Sequence, residues 1–536
     1  MQVATVDVTR RSPSEPWKCQ NAETAMKIVT GKQMQALDRR TINGGVSGEL
    51  LMERAGTGAL EALLEFIEPL PYVHRHRVVV INGKGNNGGD GYVVARLLTE
   101  RTGYEAIVYA TCQPDELQGD AKLNADRLPL PINVCDRLPD DALLPGTIVL
   151  DCLLGTGISG PVREPYATII GQINDSHLPV VAMDIPSGVD ADTGAVAAVA
   201  VRADLTITMA LPKIGLLRGD GARLCGCLRC VDIGIPATFV DDIDSAAEAT
   251  LAADVRPLIH RLPSTTHKGD MGRILIVGGS ADYPGAPMLA GAGALRAGGG
   301  LVTVACPRSI GPVLAPQDNA LIRKLIDDDG RGTHGPVDAA EFADLTADKS
   351  VIAVGPGLGG SDAALGLVRD LLGTDKTVVL DADALRVCSD CGDRLKARAV
   401  TVLTPHPGEM THLIASCGFA GLGTADRESQ ASTVAKELNA IVVLKGHHTI
   451  VAAPDGRMFI NTSGTPALAT GGSGDVLCGV IAAVLCQSDN PVAAVRLAVF
   501  VHGLAAELSP NGMRGTTADD QPQLIAQALQ QLSPLA

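Results

Sequence analysis

The stretch HRVVVINGKGNNGGDGYVVARLLTERTGYEAIVYA, residues 76–110, contains the pattern that decides the fold. A short apolar run is followed by a glycine-rich turn, a longer amphipathic segment and a second short apolar run. Short buried strands that alternate with helices predict right-handed βαβ units and a parallel sheet. Ligands of such sheets bind beyond the carboxyl ends of the strands, so we expect functional residues directly after each apolar run.

The same alternation continues on both sides of an acidic, alanine-rich segment. Before this segment, strands are predicted at TIVLDCLLG, LPVVAMDIP and LTITMAL. After it, they are predicted at RILIVGGS, LVTVACP, VIAVGPGLG, TVVLDADAL, AVTVLTP and NAIVVLKG. We therefore predict an N-terminal Rossmann-like three-layer α/β/α domain and a larger C-terminal α/β/α domain. The predicted division is a loose tail at 1–24, a first domain at 25–240, a linker at 241–255 and a second domain at 256–536.

The composition excludes several classes of protein. With 46% hydrophobic and 19% charged residues, the chain of 536 residues has material for large cores, which does not suit a disordered protein. The formal net charge of −16 argues against a protein that grips nucleic acid or a membrane surface over a broad face. No apolar run approaches the ~20 residues of a membrane span, and no signal-peptide segment is evident. We therefore expect a cytoplasmic protein, and its alanine-rich apolar helices leave room for a homo-oligomer.

Two groups of cysteines raise the question of a zinc site. Cys225, Cys227 and Cys230 lie in or beside a predicted strand, and Cys388 and Cys391 form a single CxxC pair. Structural zinc sites need four ligands at matched spacing, and neither group has its remaining ligands nearby. The sequence therefore predicts reduced cysteines without zinc.

A second glycine-rich stretch, GTPALATGGSGDVLCG at residues 464–479, precedes an apolar helix. Glycines let the backbone approach a phosphate, and the N-terminal end of a helix attracts an anion. Asp475 would then lie beside a transferred phosphoryl group, where a general base takes a proton from an attacking hydroxyl. The alternative is an ordinary helix start, with Ser473 as the cap and Asp475 favouring the helix dipole.

Further polar residues follow the strands of the second half. Lys445, Gly446 and Thr449 come directly after NAIVVL, where contacts with nucleotide phosphates are expected. The other residues at strand ends are Gly357, Asp381, Asp383 and His406. For His406 alone, the alternative is a turn histidine packed between two prolines.

The order HKGDMGRILIVGGS, GPGLG, LDADAL, TPHPGEM, KGHHTIV and GTPALATGGSGD resembles the ribokinase-like superfamily and, within it, the NAD(P)H-hydrate dehydratases. The resemblance covers roughly residues 256–530. It implies a ribokinase-like α/β/α fold. It also implies that ATP or ADP is used to convert hydrated NADH or NADPH (NADHX or NADPHX) to the reduced cofactor, with magnesium screening the phosphates.

The same resemblance implies roles for individual residues. Asp475 is the base, and Gly474 supplies an amide of the anion hole. The implied nucleotide contacts are Lys445, Gly446, His447, His448, Thr449 and Gly474. The residues implied to contact the hydrate are Ala286, Gly357, His406 and Asp475. His447 and His448 depart from the usual loop, and we expect solvent to surround them.

The first half also carries polar residues at its strand ends. INGKGNNGGDGYVVAR, VLDCLLGTGISGPVREPY and AMDIPSGVDADTG direct Asn87, Asp151, Asp184 and Ser187 toward one crevice. Oxygen ligands of this kind suit a hard cation and do not suit zinc. The alternative for the first stretch is an ordinary glycine-rich turn with Asp90 near the helix start.

NNGGDG, GTG-SGP and DIPSGVD make the region of roughly residues 25–240 similar to the NAD(P)HX epimerases. Members interconvert the R and S hydrates, so that a dehydratase acting on the S form clears both. The resemblance implies that Asn87, Asp151 and Ser187 ligate potassium. Asp184 and Lys213 are candidates for moving the proton during epimerisation. The implied hydrate contacts are Asn86, Asn87, Gly88, Gly89, Asp90, Gly155, Thr156, Gly157, Ile158, Ser159, Gly160, Pro161 and Asp184.

Two other functions are compatible with parts of the sequence. The first is a ribokinase-like kinase of a small alcohol of the hydroxymethylpyrimidine or hydroxyethylthiazole type, which would leave the motifs of the first half unused. The second is a non-catalytic binding or scaffold role for the first domain. The intact Asp and Asn positions and the acidic net charge favour the epimerase over the scaffold.

Overall fold

A computed structural model of the protein describes residues 17–19, 26–70, 77–158, 160–314 and 320–533. The chain forms two compact units, Met1–Ala246 and Ala247–Ala536, so the division falls inside the predicted linker. The predicted tail at 1–24 lies outside the described residues, except for Trp17–Cys19, which form a strand.

The first unit is built on a parallel sheet. The strands of this sheet are β1 (Trp17–Cys19), β3 (Arg77–Asn82), β4 (Glu105–Ala110), β5 (Ile132–Val134), β6 (Thr147–Cys152), β7 (Val180–Met183), β8 (Leu205–Met209) and β9 (Cys227–Val231), and the short strand β2 (Lys27–Ile28) lies outside it. Its helices are α1 (Gly31–Asn43), α2 (Gly48–Ile67), α3 (Asn86–Arg101), α4 (Gly119–Asp126), α5 (Tyr166–Asp175), α6 (Gly219–Leu224) and α7 (Ala237–Asp241).

The order of the sheet is β1-β9-β8-β7-β6-β3-β4-β5, and every pairing in it is parallel. Strand β3 is apolar on both faces because helices cover both. Val78 and Val80 pack with α2 and α3, whereas Val79 and Ile81 pack with α5. This is the predicted three-layer arrangement. The direction of the strand order changes between β3 and β6, so a crevice opens beyond the ends of these two strands.

The second unit has a larger sheet. Its strands are β10 (Ala247–Thr250), β11 (Arg273–Val277), β12 (Leu301–Pro307), β13 (Ile322–Ile326), β14 (Val351–Val354), β15 (Thr377–Leu380), β16 (Thr401–Leu403), β17 (Ile441–Leu444), β18 (Ile450–Ala452) and β19 (Met458–Asn461). Its helices are α8 (Ala252–Val255), α9 (Ala286–Arg296), α10 (Gly311–Leu314), α11 (Ala339–Thr346), α12 (Asp362–Leu371), α13 (Gly392–Lys396), α14 (Pro407–Ser416), α15 (Arg427–Leu438), α16 (Ser473–Leu485), α17 (Pro491–Glu507), α18 (Gly512–Gly515) and α19 (Gln521–Leu532).

These strands follow the order β13-β12-β11-β14-β15-β16-β17-β18-β19-β10. The pairings from β13 to β17 are parallel, as the alternation of strands and helices predicts. The sheet is not parallel throughout, because β18 runs antiparallel to β17 and to β19. Within the predicted linker, β10 pairs with β19 and α8 follows it.

The helix after the late glycine turn, α16, is buried along almost its whole length. It packs with α9, α17 and α19 in the main core of the second unit. That surrounding explains why the helix is apolar on every side. In the described part of the chain, no helix combines the length and the apolar character needed to cross a bilayer.

Candidate active sites

A cavity of about 740 Å³ lies in the first unit at the crevice beyond β3 and β6. The loops that follow these strands and α1 from the N-terminal region form its walls. Ten residues predicted from the sequence line this cavity: Asn86, Asn87, Asp90, Gly155, Thr156, Gly157, Ile158, Pro161, Asp184 and Lys213. The structure therefore brings most of the predicted first-domain site together.

Three of the predicted glycines lie outside the lining of this cavity. A Cβ atom at Gly88 would stand 2.1 Å from the carbonyl oxygen of Gly83, and one at Gly89 would stand 2.7 Å from Met52 Cε. Gly88 therefore allows α3 to start close to the end of β3, and Gly89 allows α3 to pack closely against Met52 of α2. Gly160 has a φ of +82°, and Ser159 beside it lies outside the described residues.

The side chains of Asp184 and Lys213 form an ion pair at one wall of the cavity. Lys213 is fully buried, and its ammonium donates to Asp184 Oδ1, to Thr208 Oγ1 at 3.0 Å and to the Met209 carbonyl at 3.0 Å. Asp184 Oδ1 also accepts from Thr208 Oγ1 at 3.2 Å and from Met209 N at 3.1 Å. The backbone of Asp184 has a φ of +64°, an uncommon value for a residue with a side chain. The sheet therefore holds this carboxylate in one orientation.

Of the three residues implied to ligate potassium, Asn87 lines the cavity, and Asp151 and Ser187 lie behind its lining. Ser187 donates from Oγ to Asp151 Oδ1 at 2.6 Å and from its amide to Asp151 Oδ2 at 2.9 Å. Asn87 Nδ2 donates to the Leu154 carbonyl at 3.0 Å, whereas the buried Asn87 Oδ1 has no hydrogen-bond partner among the described residues. Burial raises the pKa of Asp151 to about 6, and the bonds from Ser187 oppose this shift. A buried carboxylate beside an unpartnered amide oxygen is a suitable setting for a hard cation.

The sequence interpretation missed Asp38, which lines the same cavity from α1. Burial is the main reason that the pKa of Asp38 rises to about 6. Burial also raises the pKa of Asp90, with Asp184 and Asp38 adding to the effect. The helical spacing of the buried Met34, Leu37 and Thr41 marks the inner face of α1, but nothing in the sequence shows that Asp38 reaches a cavity.

In the second unit, the residues that follow β15, β16 and β17 meet at the carboxyl end of the sheet. Lys445 Nζ lies 2.7 Å from Asp381 Oδ1 and 3.8 Å from Glu409 Oε2. Thr404 Oγ1 donates to Asp381 Oδ1 at 2.6 Å. Two carboxylates therefore hold the ammonium of Lys445 at the end of the sheet.

Asp475 lies in the first turn of α16, close to this group. Burial raises the pKa of Asp475 to about 7, Asp381 and Glu409 add to the rise, and Lys445 opposes it. A Cβ atom at Gly474 would stand 3.3 Å from Lys445 Nζ, so the ammonium lies against the turn. The structure thus combines a half-buried carboxyl group, a cation and the positive end of a helix.

The alternative in which Ser473 caps α16 is wrong. The N-cap is Gly472, with a φ of +93°, and it makes no side-chain cap bond. Ser473 is instead buried against His502, whose Nε2 lies 3.2 Å from Ser473 Oγ and 3.1 Å from the Ser473 carbonyl. His502 Nε2 also lies 3.2 Å from Gln521 Oε1, and burial lowers the pKa of His502 to about 4. A neutral histidine that the sequence interpretation missed therefore supports the glycine turn from below.

His406 is the N-cap of α14. Its Nδ1 accepts from Gly408 N at 3.0 Å and from Glu409 N at 3.2 Å, while the His406 amide donates to Glu409 Oε2 at 2.7 Å. The ring itself is exposed, with 56% of the side chain accessible. The cap therefore fixes the ring and leaves its outer edge open to solvent.

Gly357 and Ala286 lie against each other near the ends of β14 and β11. Gly357 has a φ of +61°, and a Cβ atom there would stand 2.6 Å from the Tyr283 carbonyl and 3.0 Å from Ala286 Cβ. The two residues predicted for the hydrate site therefore form one surface. Asp383 has a structural contact, because its Oδ2 accepts from Gly359 N at 3.0 Å.

The predicted nucleotide loop at residues 445–449 joins β17 to β18. Arg427, which the sequence interpretation missed, donates to the carbonyls of His447 at 2.7 Å, Leu444 at 3.2 Å and Lys445 at 3.4 Å. His447 is exposed as expected, whereas His448 is half-buried with a φ of +53°. Burial lowers the pKa of His448 to about 3. The expectation that solvent surrounds both rings is therefore wrong for His448. Thr449 Oγ1 donates to the Gly446 carbonyl at 3.1 Å.

Two α/β units, each with ionisable groups gathered at the carboxyl ends of its parallel strands, define a two-part α/β enzyme. The model of the family described as NAD(P)H-hydrate dehydratase matches residues 274–531, and that of the YjeF-related protein N-terminus matches residues 48–215. A bifunctional NAD(P)H-hydrate repair enzyme of Thermofilum pendens is 38% identical over 520 residues, which are 95% of this chain and 97% of the relative. The enzyme of the same name from Moorella thermoacetica is 36% identical with the same shares covered. The chain belongs to the family of bifunctional NAD(P)H-hydrate repair enzymes.

Solved structures are also similar to the second half. One of them is the ADP/ATP-dependent NAD(P)H-hydrate dehydratase of Bacillus subtilis, co-crystallised with ATP and Mg²⁺. The sequences are 30% identical over 53% of this chain and 98% of that one, with a TM-score of 0.46. The membership in the family confirms the fold class and the resemblance of both halves. Membership in this family does not favour the alternative function as a kinase of a small alcohol.

Proposed function

We propose that the first unit interconverts the R and S hydrates of NADH and NADPH, and that the second dehydrates the S form with ATP or ADP. The dehydratase assignment rests on Asp475. This residue lies beside Lys445 and the glycine turn, and its pKa is raised to about 7. A base with a pKa near neutrality takes a proton efficiently and is still ionised at working pH.

In the dehydratase reaction, Asp475 takes the proton of the substrate hydroxyl as this oxygen attacks the terminal phosphoryl group. The amide of Gly474 and the positive end of α16 bind the phosphoryl oxygens. The nucleotide departs with one phosphate fewer. Phosphate then leaves the ring carbon with the C–O electron pair while the ring nitrogen forms a C=N bond, and the adjacent ring carbon loses a proton to phosphate or water as the double bond of NADH returns. Magnesium bound to the nucleotide would screen the charge of its phosphates.

The other predicted contacts divide between the two substrates. Lys445, with Gly446 and Thr449, lies on the side of the nucleotide phosphates, and Arg427 holds this loop by its carbonyls. Ala286, Gly357 and the exposed edge of His406 bind the hydrate.

In the epimerase, the cavity binds the hydrate, and Asn87, Asp151 and Ser187 hold potassium beneath it. The unpartnered Asn87 Oδ1 and the buried Asp151 support this assignment. When bound, potassium supplies positive charge that offsets the burial of the carboxylate. Epimerisation takes place in the absence of nucleotide, so the two reactions are separable. A cytoplasmic homo-oligomer that binds neither nucleic acid nor membrane completes the proposal.

The deciding experiment uses the Asp475→Asn variant of the full chain. We expect it to lower nucleotide-dependent recovery of NADH absorbance from the S hydrate by about 10²–10⁴-fold, the usual contribution of a general base. R-to-S exchange should remain, because the first unit is unchanged. Full recovery of NADH by this variant would refute the assignment, and no recovery by the wild type with either nucleotide would refute the proposed function.

The epimerase assignment has its own experiment. The double variant Asn87→Ala, Asp151→Ala should lose exchange between purified R and S hydrates and keep dehydration of the S form. Replacing potassium by tetramethylammonium should lower the exchange rate of the wild type. Equal exchange by the wild type and the double variant would support a scaffold role for the first unit.

A further inference from the structure

The carboxyl groups that line the cavity of the first unit are those of Asp38, Asp90, Asp120 and Asp184, and that of Asp38 comes from a different element than that of Asp184. Asp38 lies on α1, whereas Asp184 follows β7, and both line the same cavity of about 740 Å³. Among the described residues, no hydrogen bond involves the carboxyl of Asp38. This group therefore faces the bound substrate with both oxygens available.

Lys213 is poorly placed to exchange a proton with the substrate. An ammonium has three N–H donors, and those of Lys213 go to Asp184 Oδ1, Thr208 Oγ1 and the Met209 carbonyl. Giving up a proton would remove one of these three hydrogen bonds and leave a neutral amine beside the Asp184 carboxylate. Lys213 therefore orients Asp184, and the proton must move through other groups.

Epimerisation of the hydrate needs both an acid and a base. The carbon that inverts carries a hydroxyl and is bonded to the ring nitrogen. An acid protonates the hydroxyl as the C–O bond breaks, and the lone pair of the nitrogen forms a C=N bond. Water then adds to the opposite face, the C=N electron pair returns to nitrogen, and the base takes the surplus proton. One proton is given and one is accepted, so two groups are required.

We propose that Asp38 and Asp184 are the two acid–base groups of this epimerisation, one donating and the other accepting, with Lys213 as a positioning residue. The inference rests on the proposed epimerase function. After one turnover the proton has moved from one carboxyl group to the other, and the pair is then set for the reverse reaction. Such a pair suits a reaction whose two directions are chemically alike.

The electrostatic surroundings distinguish the two groups. Asp184 accepts three hydrogen bonds at Oδ1, which suits the carboxylate. Burial raises the pKa of Asp38 to about 6, so this group holds a proton at higher pH than an ordinary aspartate. The charged groups that act on it are Lys213 and Arg39, which lower its pKa, and Asp184, which raises it. The negative charge of Asp38 in turn raises the pKa of Asp90.

The test compares the full-length wild type with Asp38→Asn, Asp38→Glu and the control Asp115→Asn. Asp115 is exposed and outside the cavity, and it undergoes the same chemical change. Exchange of purified R hydrate into S is followed by chromatography without nucleotide, and dehydration of the S form by each variant reports on an intact chain. We expect Asp38→Asn to lower exchange at least about 100-fold, with Asp115→Asn unchanged.

The pH profile separates a catalytic role from a structural one. Exchange by the wild type should fall as the pH rises through about 6, because Asp38 loses its proton there. Asp38→Glu should keep a falling limb, and Asp38→Asn should lose it. If Asp38→Asn exchanged the hydrates at the wild-type rate, or kept the fall in rate above about pH 6, the role of Asp38 would be refuted and the epimerase function would stand. Absence of exchange in the wild type would instead overturn the epimerase function.

Discussion

At the scale of single residues, Asp475 shows how surroundings give a carboxyl group a role. It is half-buried, two further carboxylates act on it, and only Lys445 opposes their effect on its pKa. Asp381 lies close by but is committed to Lys445 and Thr404 by short hydrogen bonds. The two aspartates therefore differ in availability, and only Asp475 stands at the start of a helix facing the glycine turn.

The raised pKa of Asp475 predicts that the rate of dehydration rises with pH. The pKa of Asp475 lies near 7 instead of 3.8, so the ionised base is populated only as the pH rises through neutrality. Consequently kcat/KM for the S hydrate should rise through about pH 7 and then level off. His502, with a pKa of about 4, stays neutral over this range and adds no limb. Initial rates of NADH recovery measure the profile, and a flat profile through neutrality would contradict the assignment of the base.

At the scale of elements, α16 depends on a close approach to α9. A Cβ atom at Gly479 in α16 would stand 1.8 Å from the carbonyl oxygen of Ala290 in α9, and backbone atoms cannot move aside at low cost. Gly366 in α12 offers a matched control, because nothing lies within 4 Å of a Cβ atom there.

These two glycines predict opposite effects of the same substitution. Gly479→Ala should lower the free energy of unfolding of the second unit by about 1–3 kcal/mol through overpacking. Gly366→Ala should raise it by about 0.5–1 kcal/mol, because alanine loses less conformational entropy in a helix. Urea denaturation, with residual dehydration of the S hydrate as the readout, measures both. Similar effects of the two substitutions would contradict the proposed contact.

The elements also show what the sequence makes predictable. The strands that stand out as apolar runs between glycine turns were predicted, whereas β5 and β13, which are largely exposed, were not. The antiparallel β18 and β19 have three and four residues, too few for a clear alternation. Asp38 was missed for another reason: Arg39 and Arg40 follow it, and three charged residues in a row do not show which one turns inward. His502 was hidden in the apolar run of α17 because its only polar partners come from distant parts of the chain.

At the scale of the whole molecule, the two units handle one mixture of substrates in sequence. A mixture of R and S hydrates with excess nucleotide should be converted completely by the wild type, because the first unit feeds the second. The Asn87→Ala, Asp151→Ala variant should stop once the S form is used, apart from slow spontaneous exchange. NADH absorbance measures both end points.

Complementation between chains supplies the control for this prediction. The Asp475→Asn variant retains an intact first unit, so adding it should restore complete conversion by the double variant. Complete conversion by the double variant alone would show that the first unit is not needed. Failure of the added chain to restore conversion would show that the two reactions are not independent.

The pairing of β1 with β9 gives the protein an optical label of its own. The chain has one tryptophan, Trp17, and it stands in β1 opposite Leu228 of β9. Indole emission excited at the red edge therefore arises from this single strand at the edge of the first sheet. That emission can therefore be assigned to a single residue of the first unit without mutagenesis.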